Sequence, residues 1–189
     1  MRTSQEPESL LALDPGVRES GWAWFQGGRL KSTGRIALPK HLKLTAEERI
    51  DHLTAGLDRL VAEGVAVEAT PAGENLAEVV CAQPSGIRWP VPSLELLETR
   101  LALWSQRQGL ARHSYTAQEV RRAFTGSART SRDRLAYAVM ASLGLIGQTR
   151  TTHEWEAVAV GYYHLALRGY PASSVSSETG GNDGSTSLS

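Results

Sequence analysis

The apolar positions of the chain alternate between a strand period and a helix period, and the switches between the two divide the sequence into elements. Residues 10–14 (LLALD) form a short continuous apolar run that ends on Asp14 and is followed by Pro15-Gly16. This reads as a buried strand and then a sharp turn. SGWAWFQGGRLKSTGRIAL contains two β-prone runs joined at QGG and predicts a hairpin, which brings the count to three strands. TAEERIDHLTAGLDRLVAEG opens on a Thr45-x-x-Glu48 capping box, sets Ile50, Leu53, Leu57, Leu60 and Val61 at helical spacing, and stops at Gly64. GVAVEATP is short, β-branched and bounded by Gly and Pro, so it predicts a fourth strand with Glu68 near its end. Residues 70–92 mix turn formers with scattered apolar residues and predict a long loop.

The second half is more helical. PSLELLETRLALWSQRQG places Leu94, Leu97, Leu101 and Trp104 on one side of a helix, a stripe that faces either the core or a partner subunit. LARHSYT predicts a fifth strand, and Thr116-x-x-Glu119 caps a short helix that stops near Gly126. TSRDRLAYAVMASLGL and THEWEAVAVGYYHLALRG predict two further helices, the last ending at Gly169. With the fourth strand parallel to the first, Asp14 and Glu68 emerge at the same edge of the sheet.

Composition narrows this to one working domain. The 189 residues, 41% of them apolar and including five Trp and five Tyr, can bury a sizeable core. Residues 1–9 and 171–189 are polar and poor in large apolar side chains, so both ends are expected to be disordered around a domain at 10–170. Cys81 is the single cysteine, which excludes an internal disulfide and a cysteine zinc cluster and suits a reducing, cytoplasmic setting. No signal sequence or membrane span is read. Twenty basic residues balance twenty acidic ones, which argues against a protein that coats nucleic acid by bulk charge. Between Arg100 and Arg134, however, eight arginines face only Glu119 and Asp133, a bias that reads either as a phosphate-binding face or as a solvated helical surface.

Two acids at strand ends acquire candidate partners in the last helix. His153 and Glu156 stand three apart and share a face with Ala157, Val160 and His164, while Glu154 and Trp155 point elsewhere. Taken alone, Asp14 begins an Asp-Pro-Gly turn, and acids in a first helical turn complement the helix dipole.

Strand, hairpin, helix, strand, helix, strand, helices is the order of the ribonuclease-H-like fold, an α/β architecture with a mixed five-stranded sheet flanked by helices. Within it the chain resembles the RuvC-type Holliday junction resolvase family. LALDPGVRESGWAWF is similar to that family's first-strand motif, VAVEATP to its Val-Glu strand, SYTAQEVRRAFTGSARTSRDRLAYAVM to its Tyr strand, Thr-Gly and basic helix, and HEWEAVAVGYYH to its closing metal-ligand helix with a later His. The resemblance implies that Asp14, Glu68, His153 and Glu156 are the catalytic metal ligands. Glutamate at 156 departs from the family's aspartate, which leaves Glu154 as the alternative, although Glu156-Ala-Val-Ala keeps the family's register.

The chemistry implied is two-metal-ion hydrolysis of a phosphodiester, with ions about 4 Å apart. Oxygen ligands suit Mg2+, and one imidazole is compatible with Mn2+. The resemblance further implies branched DNA (a four-way junction) as substrate, paired symmetric nicks, a homodimer matching the substrate's two-fold symmetry, and a branch-migration helicase as partner. Arg132 stands where the family often has Lys, and with Arg121, Arg122 and Arg129 is assigned to phosphate contacts. An aromatic that the family carries after the strand Glu is absent from Ala69-Thr70-Pro71, which leaves Trp89 beside Arg88 either as a DNA wedge or as packing for its own loop. Two rivals remain: a catalytically altered relative that binds branched DNA without cutting it, and a nuclease of the same fold acting on another DNA or RNA structure.

Overall fold

The first strand, β1 (Ser9–Asp14), is buried at all six positions because it has a neighbour on each edge and helices over each face. In the computed structural model, which describes residues 9–39, 41–62, 76–83 and 91–170, it is the centre of a five-stranded sheet. β2 (Glu19–Gln26) and β3 (Arg29–Ala37) form the hairpin, with β2 antiparallel to β1. On the other edge lie β4 (Leu76–Gln83) and β5 (Ala111–Thr116), both parallel, giving the order β3-β2-β1-β4-β5. The mixed five-stranded sheet expected from the sequence is the one observed.

Alternation along the strands sorts their side chains into two apolar layers. Leu11, Leu13, Trp24, Val79 and Cys81 face helices α1 (Ala46–Ala62) and α2 (Pro92–Arg107), meeting Ile50, Leu53, Leu57, Leu97, Leu101 and Trp104. Leu10, Ala12, Ala23, Phe25, Val80 and Ala82 face α3 (Ala117–Thr125), α4 (Arg132–Ser142) and α5 (Thr152–Leu167). The α2 stripe is therefore core within its own chain. Trp104, 1% exposed, donates its indole N–H to Asp58 of α1 at 2.9 Å, so its one polar group is satisfied where it is buried. Among the described residues no helix is long and apolar enough to cross a membrane.

One strand is not where the local pattern put it. Residues 76–83, inside the stretch read as a loop, form β4, whose Val79, Val80, Cys81 and Ala82 are all buried. The physical reason is burial on both faces: a parallel strand beside β1 needs a continuous apolar run, which 79–82 provides, whereas its flanking Pro and Gly residues gave the segment a loop-like composition. GVAVEATP, and Glu68 with it, lies outside the described residues, as do residues 1–8 and 171–189 of the terminal stretches expected to be disordered; Ser9, counted with the first of them, is instead buried as the opening residue of β1.

Helix starts follow their sequence signals closely. Thr45 and Glu48 exchange the bonds of a capping box at α1, and Thr116 with Glu119 and Thr151 with Glu154 do the same at α3 and α5. Gly126 ends α3 at φ 72°, a conformation that glycine adopts without strain.

The last helix is apolar nearly all round because it lies on the sheet and is flanked by α3 and α4. Two glycines set its distance. A Cβ at Gly161 would stand 2.2 Å from the Phe25 ring and 3.0 Å from the Ala12 Cβ. On β2, a Cβ at Gly21 would meet the backbone carbonyl of His153 at 2.1 Å. Gly161→Ala is expected to lose about 1–3 kcal/mol by overpacking, read as a fall in Tm in thermal unfolding; an unchanged Tm would show that the helix has room to spare. Gly21→Ala meets backbone rather than a rotatable ring, so its cost is expected to be the larger of the two in the same measurement.

Candidate active site

Asp14 is the last residue of β1 and is 8% exposed. The turn that follows is pinned: Ser20 accepts the Gly16 N–H at 3.0 Å and donates its hydroxyl to the Gly16 carbonyl at 2.9 Å. This short closed turn leads the chain directly back into β2, so the Asp14 carboxylate is held on a strand end with little freedom.

The first turn of α5 arrives over it. Thr151 accepts the Glu154 N–H at 3.3 Å, and the Glu154 carboxylate accepts the Thr151 N–H at 2.8 Å and the Thr33 hydroxyl at 3.3 Å. Glu154 is thus committed to capping the helix and tying it to β3. His153 instead places Nδ1 2.6 Å from Asp14 Oδ2, and Glu156, 6% exposed, points to the same place. One ligand atom from each of Asp14, His153 and Glu156 lies within 4.8 Å of the other two. Between the two glutamates, geometry puts Glu156 beside Asp14 and takes Glu154 away.

Electrostatics mark the pocket as one that wants a cation. Burial raises the carboxyl of Glu156 above the ordinary range, and the nearby charge of Asp14 raises it further, against the opposing pull of Arg121 and Arg132. The hydrogen bond to Asp14 raises the imidazole of His153, outweighing its burial. Arg121 approaches Glu156 at 2.8 Å and Arg132 at 3.3 Å, so two guanidiniums supply positive charge to the acids. Two oxygen donors and one imidazole, around carboxylates that repel each other, fit a hard divalent ion, and the imidazole favours the more nitrogen-tolerant Mn2+.

The neighbouring strand brings no acid to this edge. Leu13 pairs with Cys81, so the next position beside Asp14 is Ala82, which shares the layer facing α5. The acid of β4 that faces this helix is Glu78, level with Leu10 and one end of the strand away. Its strand, Leu76–Gln83, lies within a stretch whose turn-forming residues predict a loop, so the local pattern does not single out this acid. His113 and His164 gather around it: His164 Nε2 lies 3.0 Å and His113 Nε2 3.9 Å from Glu78 Oε2.

The arginine-rich run is not one surface. Arg100, Arg107 and Arg112 pair with Glu47, Asp58 and Glu98 on the α1 and α2 side. Arg121 and Arg132 reach the candidate site on the opposite layer, Arg122 is exposed on α3, and Arg129 lines an open cleft of about 470 Å³ with Ser127, Thr130, Arg134 and Tyr137. Arg88 and Trp89 lie outside the described residues.

No family model matches the chain. Among curated proteins, it is 30% identical to the crossover junction endodeoxyribonuclease RuvC of Anaeromyxobacter sp. (strain K), over 85% of this chain and 82% of that protein. It is 27% identical to the RuvC of Frankia casuarinae over 82% and 88%, and 26% identical to that of Caulobacter vibrioides over 89% and 95%. In fold it is similar to Thermus thermophilus RuvC in complex with a Holliday junction substrate, with a TM-score of 0.65 at 17% identity over 86% of this chain and 97% of that one. A second Thermus thermophilus RuvC structure gives a TM-score of 0.62 at 18% identity, over 85% and 96%. The sheet order, the acid at the end of its central strand and a relative matched at 30% identity over most of both lengths agree: the chain belongs to the RuvC family of crossover junction endodeoxyribonucleases.

Proposed function

We propose that this protein is a metal-dependent endonuclease that resolves four-way DNA junctions by paired symmetric nicks. The observation that carries the reading is the convergence of Asp14, His153 and Glu156, whose ligand atoms lie within 4.8 Å of one another beside two arginines. The nuclease unit is assigned to residues 10–170, with Mg2+ as the working ion and Mn2+ as a substitute. Asp14, His153 and Glu156 would hold one ion, and Glu68, outside the described residues, is assigned to a second.

When bound, a divalent ion makes water nucleophilic and offsets charge on the phosphate and the leaving oxygen. The chain's own residues do the rest. Asp14 fixes a negative charge at a rigid strand end, and His153, bonded to it, is placed to hold or accept a proton. Arg121 and Arg132 exchange Glu156 for the phosphate backbone as DNA arrives, which adds donors to the phosphate and frees carboxylate oxygen for the ion. Arg122 and Arg129 extend the same face; Arg88 and Trp89 are assigned to the opened strand. Two active sites cutting symmetric strands require a homodimer, and a branch-migration helicase in the cytoplasm is the matching partner.

A second reading has a specific observation behind it. Ala82 beside Asp14 and the arginines on Glu156 fit a relative that binds branched DNA without cutting it.

Purified protein with Mg2+ or Mn2+ and a synthetic four-way junction is expected to give paired nicks that chelation abolishes. Asp14→Asn and Glu156→Gln are each expected to slow cutting on the order of a thousandfold while junction binding persists, as loss of a metal ligand removes several kcal/mol of charge stabilisation. Tight binding by the unaltered protein with no nicks in either metal would establish the second reading. Arg132→Ala is expected to weaken junction binding uniformly across sequences and to reduce the salt dependence by about one ion, measured as the slope of log affinity against log salt.

A further inference from the structure

The final helix carries a second cluster at its other end. Glu156 and His164 are eight residues apart, about 12 Å along the axis at 1.5 Å per residue. The sheet gives a similar spacing: four residues separate Asp14 from Leu10, the partner of Glu78, or about 13 Å. The two groups of ligating side chains therefore share a helix face and a sheet face without sharing a ligand.

Each member of the second group is held by a different element. Glu78 comes from β4, His113 from β5 and His164 from α5. His113 is the register partner of Val80, whose side chain faces α5, and the His113 and His164 rings stand 4.6 Å apart between centroids. One ligand atom from each of the three residues lies within 4.8 Å of the other two. His164 is 2% exposed, and its Nδ1 lies 2.9 Å from the Tyr115 hydroxyl, which fixes the ring and aims Nε2 at Glu78. Such an oriented imidazole is what metal-ligating histidines use. Arg168 holds the other carboxylate oxygen of Glu78 at 2.5 Å, leaving Oε2 to the two imidazoles.

One further observation separates this arrangement from an ordinary ion pair. His113 Nε2 is buried with no hydrogen-bond partner among the described residues and stands 3.9 Å from Glu78 Oε2, too far for a hydrogen bond but suited to sharing an ion.

We infer that Glu78, His113 and His164 form a second metal site, independent of the site at Asp14, that takes one borderline divalent ion of the Zn2+ or Co2+ type. Two imidazoles and one carboxylate are a zinc-type donor set, with a fourth position left for water. With Nε2 on the ion, His164 would carry its proton on Nδ1 and donate it to the Tyr115 oxygen. The ion cross-links β4, β5 and α5 behind the candidate active site, and its role is to brace the helix that carries His153 and Glu156.

The test uses the full, tag-free chain carrying Asp14→Asn to weaken the first site, stripped of metal and titrated with Zn2+ by calorimetry and with Co2+ by visible absorption. One equivalent is expected to bind, with cobalt bands of a four-coordinate nitrogen and oxygen site and a rise in Tm with Zn2+. Adding His113→Ala is expected to weaken binding about tenfold or more, and Glu78→Gln, which keeps the volume and can still bond to His164, to do the same. Circular dichroism of both variants checks that they fold. Absence of binding in the Asp14→Asn protein, or binding that neither His113→Ala nor Glu78→Gln changes, would overturn the assignment.

Discussion

The candidate site depends on how near the last helix sits to the sheet. A strand-end carboxylate and two side chains from a helix 139 and 142 residues later meet only if the helix backbone nearly touches the strand. Gly21 supplies that approach at the front, where it pairs with Asp14 and lies under the carbonyl of His153, and Gly161 supplies it two turns on, against Phe25. A buried glycine in mid-helix costs about 1 kcal/mol relative to alanine, so its presence here is explained by contact rather than by propensity. Fixing the helix by packing, rather than by a loop, leaves the ligands rigid before any ion or DNA arrives.

Charge completes what packing begins. Asp14 and Glu156 are both buried, and their mutual repulsion is unfavourable unless something positive intervenes. His153, Arg121 and Arg132 all do so, from three elements or their edges. The guanidiniums are long and partly exposed, so they can leave the acid for a phosphate at small conformational cost, whereas the imidazole sits in the first turn of a helix and cannot move far. The pocket is therefore neutralised in two ways, one permanent and one exchangeable.

Much of this was legible in the residues. The helices were written in apolar periodicity and in Thr-x-x-Glu caps, and the cap at Thr151 ties the Glu154 carboxylate to the backbone of its own helix. Asp14, His153 and Glu156 were assigned through the resemblance to the RuvC family, since a strand-end acid and a spacing of three on a helix taken alone read equally as a turn and a helix dipole; in the fold the three lie together. The fourth strand was harder, since Leu76–Gln83 is flanked by turn formers and its apolar centre spans only four residues, while a rival run of Val and Ala stood nearby. Losing that strand hid both Ala82 beside Asp14 and Glu78 among its histidines. The arginine run was ambiguous for a related reason: neighbours in sequence were divided by the sheet, and only tertiary pairing tells Arg112 from Arg121.

The single thiol of the chain lies directly beneath this arrangement, on the opposite layer from Asp14. Cys81 is 1% exposed, and burial pushes its pKa up to about 11, so at neutral pH almost none of it is the reactive thiolate. Alkylating probes and mild oxidants will pass it by while the protein is folded. A cysteine placed on the outer face of α3 or α4 would consequently be the sole labelling handle, ready to carry a fluorophore or spin probe to the arginine-bearing surface without first removing Cys81.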